Sequence, residues 1–127
     1  MKILFNKTKN KKISEVEIAN SYLKRLKGLM FKKNITKGLI LNIPKSRYSK
    51  RSSIHMFFMR ISLDILFINE ENKVYEMVAL KPWKTYSPKK PAKYVVELKK
   101  DTINTKNIEV NDEISIKTLH EKYQIKE

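Results

Sequence analysis

Ile54-His55-Met56-Phe57-Phe58-Met59-Arg60-Ile61-Ser62-Leu63-Asp64-Ile65-Leu66-Phe67-Ile68 is the stretch whose reading decides the fold. Nine large aliphatic or aromatic residues and two methionines surround only four polar ones, His55, Arg60, Ser62 and Asp64. In a chain otherwise rich in lysine, such a run has to form the centre of the core. A continuous apolar run of this kind suits burial on both faces, so residues 54–58 and 63–68 are predicted as central strands.

Outward from there, residues 2–6 alternate enough for an opening strand, and Ile13, Val16 and Ile18 mark a second extended segment. Asn20 is a good N-cap for a short helix ending before Gly28. That helix puts Tyr22, Leu23 and Leu26 on one face and is too short to stand alone, so it must dock on a sheet. Residues 38–41 read as a buried strand, and 42–53 as a polar connection. After the central run, Asn69-Glu70-Glu71-Asn72 makes a hairpin turn into a strand over 73–80. Residues 81–92 hold three of the four prolines and read as an ordered loop. A strand over 94–98, a helical turn over 101–106 and a strand over 113–117 complete the pattern, before a short charged tail. The expected fold class is mainly β (a β-rich α+β), with a compact, mostly antiparallel barrel-like sheet and one short helix near residues 21–27. One domain is expected over 1–127.

The 127 residues suffice for one sizeable core, and 41% hydrophobic with 32% charged residues is a globular composition. No apolar stretch approaches the roughly 18 residues of a membrane span. The apolar segment after Met1 is too short for a secretory signal, so a cytoplasmic protein without membrane contact is expected. Absence of cysteine excludes disulfides and thiolate metal sites. The net charge is +15, and it is unevenly spread. Residues 1–60 carry 16 Lys or Arg against Glu15 and Glu17, whereas 61–127 carry 12 against 11 acids. Such a field attracts polyanions, which makes nucleic acid a candidate partner. Against this, 24 of the 28 basic residues are Lys, whereas Arg predominates in bidentate phosphate and base contacts.

Several segments in order resemble domain-of-unknown-function family 192. They are Arg25-Leu26-Lys27-Gly28-Leu29-Met30-Phe31, Gly38-Leu39-Ile40-Leu41, residues 54–69, Lys81-Pro82-Trp83-Lys84, Ala92-Lys93-Tyr94-Val95-Val96-Glu97-Leu98 and Ile108-Glu109-Val110-Asn111-Asp112-Glu113-Ile114. Together they span about 14–117, and His-Met-Phe-Phe-Met is similar to the archaeal branch. The resemblance implies a compact, β-rich, barrel-like domain with a small helix, and it implies no established activity. Ser62 stands where many members have Pro, and Asn72 and Asn111 where many have Gly.

The polar residues within the apolar run supply the candidate site. Asp64 requires a partner, either Arg60 on the same face of an extended strand or backbone amides at a turn. Alternatively His55, Arg60, Asp64 and Trp83 line a polar pocket that takes a small anionic ligand, with Trp83 capping the barrel or stacking on that ligand. Three of the four arginines, Arg47, Arg51 and Arg60, lie near His55 in sequence and favour an anion site. His55, Met56 and Met59 invite a copper(I) site, but strand alternation would part Met56 from the other two, so no metal and no cofactor are expected. Lys45, Arg47, Tyr48, Lys50 and Arg51 have the composition of a phosphate-contacting loop with a ring for base stacking, the nucleic-acid alternative. Two glycines exclude a phosphate loop or dinucleotide fingerprint. A hydrolase using Asp64 and His55 is the third alternative. A paired-carboxylate hydrolase would need a second embedded acid beside Asp64, and the other acids are expected in turns or on polar faces. A small binding or accessory module is therefore the leading expectation, its oligomeric state left open.

Overall fold

A computed structural model describes residues 1–19, 29–45 and 52–118. The helix predicted near residues 21–27 lies outside the described residues. Along the described chain run β1 (Lys2–Asn6), β2 (Lys11–Ala19), β3 (Gly38–Asn42), β4 (Ile54–His55), β5 (Leu63–Ile68), β6 (Val74–Leu80), β7 (Thr85–Tyr86), β8 (Tyr94–Lys99), α1 (Thr102–Thr105) and β9 (Ile114–Thr118). Seven strands form one sheet in the order β6-β5-β8-β3-β2-β1-β9, and β4 pairs with β7 beside it. Within the large sheet every pairing is antiparallel except β2 with β3. The mainly β, barrel-like class expected from the sequence is the one found.

The sheet curls until its edges meet. Lys73 bridges Glu113, Val74 N donates to Asp112 O at 3.0 Å, and Ile114 N donates to Asn72 O at 2.8 Å. Asn72 and Asn111 both adopt left-handed φ, 64° and 78°, which asparagine tolerates better than most residues. Asp112 secures the same corner, where its Oδ2 accepts from Asn6 Nδ2 at 2.8 Å and from Glu109 N at 2.9 Å. Burial opposes its ionisation, but these donors and the Lys9 ammonium at 3.1 Å together hold the carboxyl below its ordinary range.

β5 occupies the middle of the packing, and all six of its residues are buried. Leu66 and Ile68 face the inside of the curl with Leu4, Val16, Ile40 and Val96. Leu63, Ile65 and Phe67 face outward onto a second core with Leu39, Leu41 and Val95. That outer core is closed by loop residues Leu29, Ile35, Met56, Met59 and Ala92. Gly38 is required by crowding, since a Cβ there would lie 2.8 Å from Leu98 Cδ2 and 3.1 Å from Glu97 O.

One strand expectation is corrected. Residues 54–58 are not a central strand, because only Ile54–His55 pair, and they pair with β7. The chain then reverses through a turn closed by Met59 N donating to Met56 O at 3.2 Å. Apolar composition alone cannot distinguish a buried strand from a turn whose first and last residues are buried. The loop expected over 81–92 likewise contains the short β7.

Glu97 stands opposite Leu39 and Ile65 and is 6% exposed. Burial pushes its carboxyl up to about 7 from 4.5. The folded state therefore keeps a proton that the unfolded chain releases, so the contribution to stability is present at low pH and lost as pH rises from about 4.5 through 7. Glu97→Gln is expected to flatten this loss of roughly 3 kcal/mol, measured as the pH dependence of the urea midpoint. The two halves of the 54–68 run should also separate. Phe67→Ala should cost about 3–5 kcal/mol and Phe57→Ala no more than about 1 kcal/mol; equal losses in urea denaturation would mean that both rings belong to the core.

Candidate functional site

Three β-turns converge over the outer core. Each is closed by a hydrogen bond from its fourth residue to its first: Lys32 N to Leu29 O at 3.3 Å, Met59 N to Met56 O at 3.2 Å, and Lys84 N to Lys81 O at 3.3 Å. In each, the third residue has left-handed φ and is aromatic: Phe31 at 65°, Phe58 at 61° and Trp83 at 69°. Glycine or asparagine is the usual occupant of such a position, because a Cβ there meets the backbone. Only Trp83 has the favourable neighbour, Pro82, before it.

The turns are locked together through backbone atoms. Trp83 N donates to Met56 O at 2.6 Å, Met56 N to Lys84 O at 2.7 Å, and Phe31 N to Phe58 O at 3.0 Å. Leu29, Met56 and Met59 point into the core and anchor the turns, and the rings are left outside. Phe31, Phe57, Phe58 and Trp83 are 63%, 41%, 49% and 58% exposed. They form a row in which Phe31 lies 5.5 Å from Phe58, Phe58 5.0 Å from Trp83, Trp83 6.1 Å from Phe57, and Phe57 5.0 Å from the His55 ring stacked on it. The result is an exposed aromatic shelf.

The residues singled out in the sequence divide between this shelf and the fold. His55 and Trp83 are both on the shelf, joined through Phe57. Arg60 is exposed just beyond the central turn, and no ion pair among the described residues joins it to Asp64. Asp64 is 3% exposed, and its Oδ2 accepts from Ile103 N at 2.8 Å, the amide alternative foreseen for it, which ties α1 to the start of β5. Lys45 is exposed, while Arg47, Tyr48, Lys50 and Arg51 lie outside the described residues. The expectation that no acid besides Asp64 is embedded fails at Glu97 and at Asp112, the latter in the closing corner. Asp64 and Glu97 do not form a pair, because Asp64 stands opposite Leu98 and Glu97 opposite Ile65, on opposite faces of the sheet. Phe31, Phe57 and Phe58 were absent from the sequence-derived set because apolar rings in an apolar run read as core. The signal available was Phe31 followed by two lysines, which suits no buried segment.

The family model of DUF192, described as an uncharacterised ACR, matches residues 4–116. The chain belongs to domain-of-unknown-function family 192. A UPF0127 protein of Thermococcus sibiricus is 37% identical over 124 residues, covering 97% of this chain and 80% of its own. Another, from Pyrococcus furiosus, is 37% identical over 112 residues, 87% of this chain and 95% of that one. Among solved structures, a protein of unknown function from Novosphingobium aromaticivorans matches with TM-score 0.76 and 19% identity over 90% of this chain and 82% of that one. A putative transcription regulator from Sinorhizobium meliloti gives the same score and identity, covering 90% of both chains. At that identity the likeness is one of fold.

This family 192 chain also has a cleft of about 310 Å³ inside the curl, floored by Leu4, Ile40, Ile68 and Val96. Its rim cations are engaged, Lys7 with Glu113 at 3.1 Å and Lys93 with Asn72 Oδ1 at 3.3 Å. No helix of the described residues is long and apolar enough to cross a membrane.

The shelf residues should be dispensable for folding. Each left-handed ring costs roughly 1–2 kcal/mol that glycine avoids, offset by about 1 kcal/mol of glycine entropy and lost ring contact. Phe58→Gly is therefore expected to change stability by less than about 1 kcal/mol, while Met59→Ala, in the same turn, should cost about 2–5 kcal/mol. Chemical denaturation of the two variants checks the contrast.

Proposed function

We propose that this protein is a recognition module that holds its partner against the aromatic shelf. The observation that carries the reading is the conformation of Phe31, Phe58 and Trp83, three bulky residues kept at positive φ with their rings in water. Elsewhere in the described chain such positions are filled by Asn10, Asn72, Asp101, Asn107 and Asn111, as stability alone favours. Rings that folding does not need, at backbone positions that disfavour them, are best explained by contact with something outside the chain. Aromatic side chains supply large, rigid contact area with little conformational freedom to lose. The proposed site takes His55 and Trp83 from the sequence-derived set, adds Phe31, Phe57 and Phe58, and uses Arg60 as a flanking cation. Asp64 serves the fold by holding α1.

The reading is tested with anilinonaphthalene sulfonate, an aromatic anion matched to rings ringed by lysine. Trp83 is the single tryptophan, so energy transfer from it reports dye binding to the protein, and the Phe58→Gly variant locates that binding at the shelf. Saturable transfer is expected in the native protein, and Phe58→Gly should weaken dye binding roughly tenfold with no loss of fold. Dye binding indifferent to Phe58→Gly would place the dye elsewhere, the inner cleft being the alternative, and would remove the shelf as a recognition surface.

A further inference from the structure

Resting on the shelf as the recognition surface, the geometry points to its occupant: we propose an unpaired polynucleotide strand, with bases stacked on the rings and phosphates met by the surrounding cations. Three observations combine to select this partner. The first is the chemistry of the shelf. The large apolar side chains most exposed on the three turns are all aromatic, while Leu29, Met56 and Met59 are buried and Met30 is partly buried against the outer core. A lipid surface would be served equally by exposed leucine or isoleucine. A row of four exposed rings continued by the His55 imidazole is served best by a succession of planar partners.

The second observation is the charge of the sequence segments that carry the rings. From residue 18 to 63 the sequence has 11 Lys or Arg and no acid, and from 77 to 96 it has five Lys and no acid. These two segments carry all three turns. Lys32, Lys33, Arg60, Lys81 and Lys84 flank the rings and are exposed. None of them joins an ion pair among the described residues, where Lys7, Lys9 and Lys37 provide every cation. Unengaged cations beside exposed rings meet the two needs of a single strand, neutralised phosphate and stacked base.

The third is shape. A base face is open to stacking only where the strand is unpaired, since a duplex buries its bases against one another and offers grooves. The shelf is built from turns, without an element able to enter a groove, so it suits splayed bases. Lysine in place of arginine suits backbone neutralisation without sequence readout, so stacking should be tolerant of base identity.

The test is fluorescence anisotropy with labelled single strands of about 12 nucleotides, together with quenching of Trp83. Binding to oligo-dT and oligo-U is expected, with quenching and with a weaker response to a duplex of equal length. Phe57→Ala with Phe58→Gly should weaken single-strand binding tenfold or more. Lys81→Gln with Lys84→Gln should weaken it and reduce the steepness of its salt dependence by about two phosphates' worth. Duplex bound as tightly as single strand, with the ring variants unaffected, would overturn the proposal in favour of charge alone. If the dye still reports the shelf but no oligonucleotide binds, the strand is the wrong occupant while the recognition surface stands. A blue shift of Trp83 on phosphatidylcholine–phosphatidylglycerol vesicles would then identify a lipid surface instead. If the dye ignores Phe58→Gly, it is the shelf itself that fails.

Discussion

The constraint on which the rest depends is that β5 has no face for water. A strand whose six residues are all buried requires a core on each side, and among the described residues the only helix, α1, has four residues and cannot provide a layer. The inner side is solved by the sheet itself, which curls until β9 meets the start of β6. Among the described residues, the outer side is covered by loops. Loops carry backbone amides and carbonyls that must be satisfied wherever they are buried. The three turns meet that requirement by bonding to one another, with Met56 contributing both its N–H and its carbonyl. Among the described residues, what covers the core is thus a small knot of turns, which bury Leu29, Met56 and Met59 while Phe31, Phe57, Phe58 and Trp83 project as the aromatic shelf.

Legibility from sequence followed the same division. β3, β5, β6, β8 and β9 were readable because strands in contact with both cores, or alternating between core and water, leave a period in the residues. The turn at 69–72 was readable because Asn72 occupies its left-handed position, as turn chemistry prescribes. The turn at 56–59 was not, since it places phenylalanine where the same geometry wants glycine, inside a run of other apolar residues. His55 and Trp83 were legible as site candidates because each is chemically unusual for its surroundings. Phe57 and Phe58 were concealed by resemblance to the core they adjoin. Asp64 was recognised as demanding a partner, but the donor is the Ile103 amide, nearly forty positions away, which no local pattern specifies.

Placing rings at strained positions has an energetic logic. Residues that stabilise a fold and residues that bind a partner compete for the same surface, and conflict between local preference and observed conformation is a marker of the second kind. Here the conflict occurs three times, and the three residues touch in sequence, Phe31 to Phe58 to Trp83. Five other left-handed positions in the described chain carry Asn or Asp and no conflict. The contrast within one molecule separates turns made for folding from turns that also present a surface. The barrel can remain a stable support because the turns are anchored in the outer core by Leu29, Met56 and Met59, while the rings themselves stay outside it.

The pairing of β1 with β9 has a bearing on biosynthesis. Lys2 stands opposite Thr118 and Asn6 opposite Ile114, so β1, the earliest of these nine strands in chain order, is bordered on one side by β9, the last of them. β1 and β2 can zip as a hairpin early, but closure of the curl must await residues more than a hundred positions later. Until then the inner faces of β5 and β8, among the most apolar surfaces in the molecule, are open to solvent. Such long-range closure slows folding and exposes nascent chains to association. During this interval the high positive charge becomes useful for a reason unrelated to any ligand: like-charged incomplete chains repel one another until the last strand arrives.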